Sequence, residues 1–90
     1  MKRLRITVSG RVQGVGFRYF TERMAGTYNI KGYVRNLYNG DVEIAAIGED
    51  KNMELFIDKV SQGPYSAIVT DVKKEPLPDD EDYHSFEITF

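Results

Sequence analysis

The chain has 90 residues, room for one domain and not two. It contains no cysteine, which excludes disulfides, thiolate metal sites and a cysteine nucleophile. Its 12 basic and 14 acidic residues give a net charge of −2, which argues against a domain built to grip nucleic acid, and no apolar run approaches the length of a membrane span.

The basic start, Met1 to Arg5, runs into an alternating segment and not into the continuous apolar stretch of a signal peptide, so a cytoplasmic location is expected. Leu4, Ile6 and Val8 alternate with Arg3, Arg5 and Thr7, the period of a half-buried strand. Glycines follow at Gly10, Gly14 and Gly16. From Phe17 the period turns helical: Phe17, Phe20, Thr21, Met24 and Tyr28 mark an amphipathic helix ending near Asn29. Tyr33 to Leu37 reads as a second strand. Asn39-Gly40 signals a hairpin, because both residues tolerate the positive φ of a type I′ turn. Val42, Ile44 and Ala46 alternate in the returning strand. Asp50 is the expected N-cap of a second helix, whose buried stripe is Met53, Phe56, Ile57 and Val60 and which Gly63-Pro64 stops. Ser66 to Lys73 reads as a fourth strand and Pro76 to Asp82 as an acidic, solvated loop. In the last strand Phe86, Ile88 and Phe90 share one face. The order is β-α-β-β-α-β with a closing strand. It predicts an α+β fold of the ferredoxin-like split βαβ type, a mainly antiparallel sheet with two helices on one face. Residues 1–90 are expected to form one domain.

The run Gly10-Arg11-Val12-Gln13-Gly14-Val15-Gly16-Phe17-Arg18 lies between a strand and a helix. Backbone N–H groups in such a loop can turn inward as an anion-binding nest, backed by the positive end of the helix. Glycine permits close approach of a ligand and positive φ. Arg18, in the first helical turn, can fold its paired donors over the same pocket. The loop is neither a P-loop, since Phe17 follows Gly16, nor a dinucleotide fingerprint, since Tyr19 stands where a third glycine is needed. On the residues alone two readings stand: an anion site, or a tight strand–helix connection beside a solvated Arg18.

The run Val8 to Arg18 resembles the first signature of the acylphosphatase family. Gly32-Tyr33-Val34-Arg35-Asn36, with Gly40, Val42 and Gly48, resembles its second. The resemblance spans the whole chain. It implies hydrolysis of the carboxyl–phosphate bond of small acyl phosphates by water, without a metal, a cofactor or a covalent enzyme intermediate. It also implies that Arg18 binds the phosphate together with the loop Arg11, Val12, Gln13, Gly14, Val15, Gly16 and Phe17, and that Asn36 holds the attacking water. Phosphate and sulfate are then expected as competitive ligands. Arg11 either adds to the field of the loop or is simply exposed.

The turn residues are Asn39 and Gly40, and Asn36 shares a strand face with Gly32 and Val34, where a polar residue is more often a site or rim residue than core; the resemblance to the second signature favours the site role. His84, the single histidine, is expected to be structural or exposed. The run Asp79 to Asp82 lacks the spacing of a calcium loop. Two rival readings compete with this one. One is an RNA-binding module: Lys31-Gly32-Tyr33 resembles the start of an RNA-binding strand motif, but Val34-Arg35 breaks it and the net charge is wrong. The other is an acylphosphatase-like module of a larger maturation enzyme, which would continue well past Phe90. A monomer is expected, with neither nucleic-acid nor membrane partners.

Overall fold

In the computed structural model, which describes residues 1–90, five strands and two helices follow in the order β1 (Lys2–Arg11), α1 (Phe17–Tyr28), β2 (Lys31–Asn36), β3 (Val42–Gly48), α2 (Asp50–Gln62), β4 (Ile68–Pro76) and β5 (Phe86–Ile88). The strands form one sheet in the spatial order β4-β1-β3-β2-β5. Three pairings are antiparallel and only β2–β5 is parallel. This is the ferredoxin-like α+β arrangement expected from the element order.

The alternation in the strands decides what each face of the sheet meets. Ile6 and Val8 of β1, Val34 of β2 and Val42, Ile44 and Ala46 of β3 join Phe17 and Ala25 of α1 and Met53, Phe56 and Val60 of α2 in the main core. Burying such side chains is the dominant favourable term in folding. β3 lies in the middle of the sheet, and every residue in it except Glu43 is buried. Its other face, through Ala45 and Ile47, packs against buried Leu77 and half-buried Tyr33 and Tyr83.

That second cluster corrects the expectation of a solvated loop after β4. The segment from Leu77 to Tyr83 folds back over the open face of the sheet. The Leu77 N–H donates to the Arg3 carbonyl (3.1 Å), and the Arg3 guanidinium donates to the carbonyls of Pro78, Asp79 and Glu81. Arg5 donates to both carboxylate oxygens of Glu81, at 3.0 and 2.9 Å.

Four further expectations shift. β4 starts at Ile68, not Ser66, and runs through Pro76 on the register of β1. Glu49, not Asp50, occupies the N-cap of α2, because Glu49 is extended (φ −65°, ψ 151°) and Asp50 is already helical. Asp50 instead sets its charge at the positive end of the helix. The hairpin is not type I′, since only Gly40 (φ 97°) has positive φ. Leu37 N–H donates to Asp41 O (2.8 Å) and Gly40 N–H to Leu37 O (3.2 Å), closing a three-residue loop with glycine at the left-handed position. Asn39 contributes through its side chain, whose Oδ1 accepts from the Asp41 N–H at 3.0 Å. Finally, Phe90 does not join Phe86 and Ile88 against the core. β5 ends at Ile88, and Phe90 is 94% exposed.

Candidate active site

The loop between β1 and α1 is held from four directions. Val12 and Phe17, at its two ends, are each 1% exposed and belong to the main core. Half-buried Val15 packs against that core, and its carbonyl accepts from Ser66 Oγ at 2.7 Å. Gln13 Nε2 donates to the carbonyls of Leu37 (2.7 Å) and Asp41 (2.8 Å), the pair that closes the β2–β3 hairpin. Gln13 thereby ties the loop to the hairpin.

Gly14 (φ 74°) and Gly16 (φ 80°) carry the left-handed turns of this loop. A Cβ at either would meet nothing within 4 Å, so the requirement for glycine here is conformational and not one of space. The backbone N–H groups of Val12 to Gly16 donate to no backbone carbonyl. Gly16 is the N-cap of α1, provides no side-chain cap, and is followed by no acidic residue in the first turn. The orphan amides and positive end of this helix are thus left without a counter-charge from the chain. That is the arrangement that binds anions at helix N-termini.

These groups border a cavity of about 100 Å³ lined by Val12, Gly14, Gly16, Phe17, Arg18, Tyr19 and Asn36. Arg18 and Asn36, 18 positions apart in the chain, reach it from different elements, α1 and the last residue of β2. Arg18 Nη1 donates to the Thr89 carbonyl at 3.4 Å, and its Cζ lies 4.5 Å from the centre of the Phe90 ring. The segment after β5 thereby contacts the guanidinium. Asn36 lies on the helix side of the sheet, two residues beyond buried Val34. Its Oδ1 is buried and has no hydrogen-bond partner.

Of the residues expected at the site, Val12, Gly14, Gly16, Phe17, Arg18 and Asn36 line the cavity, while Arg11, Gln13 and Val15 do not. Arg11 is exposed at the end of β1, paired with Ile68. The side chains of Val12 and Phe17 are core, so only their backbone is free for a ligand, and the Gln13 side chain is engaged with the hairpin. Tyr19, Thr89 and Phe90 were missed. The signal for Tyr19 was its place beside Arg18, off the buried stripe of α1; Thr89 and Phe90 gave none. His84 is exposed and does not line this cavity. No three His, Asp or Glu side chains gather where they could hold a metal ion, and no helix is long and apolar enough to cross a membrane.

The acylphosphatase family model matches residues 4–88, a span that includes both the glycine loop and Asn36. An acylphosphatase of Archaeoglobus fulgidus is 49% identical over 89 residues, covering 97% of this chain and 97% of that protein. The crystal structure of acylphosphatase from Bacillus subtilis is similar with a TM-score of 0.94 and 39% identity, over 100% of both chains. HypF of T. kodakarensis contains a similar region, with a TM-score of 0.88 and 34% identity over 99% of this chain and 12% of that one. Sequence match and fold agree along nearly the full length: the chain belongs to the acylphosphatase family, enzymes that hydrolyse acyl phosphates.

Proposed function

We propose that the chain hydrolyses the carboxyl–phosphate bond of small acyl phosphates in the cavity at the N-terminus of α1. The phosphoryl group is held by the loop amides and Arg18, and water attacks phosphorus from the side of Asn36. The observation that carries this is the convergence of Arg18, Asn36 and the uncapped start of α1 on one cavity.

The chemistry asks for little more. The water oxygen bonds to phosphorus as the bond from phosphorus to the acyl oxygen breaks, and the electron pair leaves on a carboxylate. A carboxylate departs without a proton, so no strong general acid is required. The proton lost by the water ends on the phosphate, and the products are carboxylate and inorganic phosphate. Catalysis of phosphoryl transfer is mostly positioning and charge stabilisation. Loop amides and the fixed fork of Arg18 supply the second. The unpartnered Oδ1 of Asn36 supplies the first, by accepting from the water without itself ionising. With charge neutralised by the chain itself, the reaction proceeds without a metal or other cofactor. Phosphate and sulfate occupy the same cavity as competitive ligands. The chain works as a cytoplasmic monomer, without nucleic-acid or membrane partners.

Turnover of benzoyl phosphate by wild type, Arg18→Gln and Arg18→Lys tests this. Wild type is expected to turn over. Arg18→Gln should lose both affinity and turnover, and Arg18→Lys should not restore them, because a point charge does not reproduce the paired donors. Folded Arg18→Gln protein with full activity would remove Arg18 from the site.

A further inference from the structure

Placing the phosphoryl group leaves the acyl group unassigned. The cavity, at about 100 Å³, is well below the roughly 300–1,000 Å³ of pockets that enclose a drug-sized ligand. It takes the phosphoryl end, and a larger acyl group has to lie across its mouth.

Tyr19 stands there. It lines the cavity next to Arg18, yet it is 68% exposed. The fold does not need its ring. The buried residues of α1 are Phe17, Thr21 and Ala25, and Tyr19 belongs to neither apolar cluster. The water-positioning and phosphate-holding steps do not use it either. The Arg18 guanidinium that lines the cavity with Tyr19 also lies 4.5 Å from the ring centre of exposed Phe90. An aromatic ring offers a large flat surface that gains by packing on another flat, apolar group.

We infer that Tyr19 is a specificity-determining residue whose ring packs against the acyl portion of the substrate, selecting flat, apolar acyl phosphates of the aryl type over small aliphatic ones. This rests on the assignment of the cavity to the phosphoryl group. Discrimination is a ratio of kcat/KM values, so contact made by one acyl group and not another appears directly in that ratio.

The test compares kcat/KM for benzoyl phosphate and acetyl phosphate in wild type, Tyr19→Phe and Tyr19→Ala, with inhibition by inorganic phosphate measured in each and in Arg18→Gln. Loss of one aromatic contact in Tyr19→Ala should lower the benzoyl-to-acetyl ratio about three- to tenfold. Tyr19→Phe should keep it, because the ring and not the hydroxyl makes the contact. The phosphate inhibition constant should stay within about twofold in both Tyr19 variants, since one aromatic side chain is removed and no phosphate partner is. An unchanged ratio in Tyr19→Ala, with inhibition lost in Arg18→Gln, overturns the role of Tyr19 and leaves the phosphate site standing. Inhibition retained in Arg18→Gln overturns the phosphate site and this inference with it. A ratio that falls only in step with weakened phosphate binding in Tyr19→Ala also overturns the inference.

Discussion

Asn36 carries an acceptor that the fold itself leaves unsatisfied. A buried polar atom left without a partner costs about 1–3 kcal/mol, and Asn36 lines the cavity, where a water or ligand can supply that partner. Asn36→Ala should therefore cut turnover about 10²-fold, as loss of one preorganised hydrogen-bonding group does, while substrate affinity and folding stability hold. Steady-state kinetics and a urea melt on the same variant check both halves. Full turnover in the folded variant would show that Asn36 does not place the water. Gln13 acts differently. Gln13→Ala removes two hydrogen bonds to the hairpin, about 1–3 kcal/mol in all, and should lower the urea midpoint and weaken inhibition by phosphate as the loop loosens. Arg18 and Asn36 were legible because they sit in long signatures. The part of Gln13 was not, since its partners lie 24 and 28 residues away. Phe90 was misread because the two-residue period was carried past Ile88, where the strand stops.

Among the elements, β1, β2 and both helices could be read from the sequence because each has one clear buried stripe, and β3 because Val42, Ile44 and Ala46 alternate after the hairpin signal, although its other face is buried too. The segment after β4 could not. Its acidic composition describes solvent well, and the residues that hold it, Arg3 and Arg5, stand at the other end of the chain. That segment brings a pH dependence. Hydrogen bonds from Arg5 and then from the Tyr83 hydroxyl hold the Glu81 carboxyl below its ordinary value of 4.5. Burial pushes the other way at Glu43, but hydrogen bonds from Tyr33 and Arg35 outweigh it, and its value is lowered too. Groups lowered on folding stabilise above the unfolded value and lose that contribution as pH falls through the folded one. Stability should therefore decline below about pH 4.5. Glu81→Gln should flatten the decline and leave the part due to Glu43. The Tyr83 hydroxyl, pushed up to about 12 by burial and by its bond to Glu81, has the opposite sign. Its contribution is complete below its ordinary 10.0 and is lost as pH rises towards 12. Melting temperatures of wild type, Glu81→Gln and Tyr83→Phe across the two pH ranges check these signs. A wild-type acid limb that Glu81→Gln leaves untouched would show that the Arg5–Glu81 pair does not hold the segment.

For the whole molecule, element order and chain length carried the fold class, while the parallel pairing of β2 with β5 came from topology that no local pattern records. That pairing ends at Val34, two residues before Asn36, and delivers Thr89 and Phe90 to Arg18, so the closing strand bears on the site as well as the core. Two properties of the intact protein follow from the proposed mechanism. Exhaustive chelation should leave turnover unchanged, and loss of activity restored by one divalent ion would contradict the charge-neutralising role given to Arg18 and the loop. Inorganic phosphate should raise the melting temperature, by about 2.7 kcal/mol of stabilisation at a hundred times its dissociation constant. The most direct measurement of a shared phosphate site is the initial rate of benzoyl phosphate hydrolysis, with substrate varied at several fixed concentrations of inorganic phosphate. The apparent KM is expected to rise linearly with phosphate at constant kcat. A fall in kcat with KM unchanged would place phosphate and substrate at different sites and contradict the assignment of this cavity.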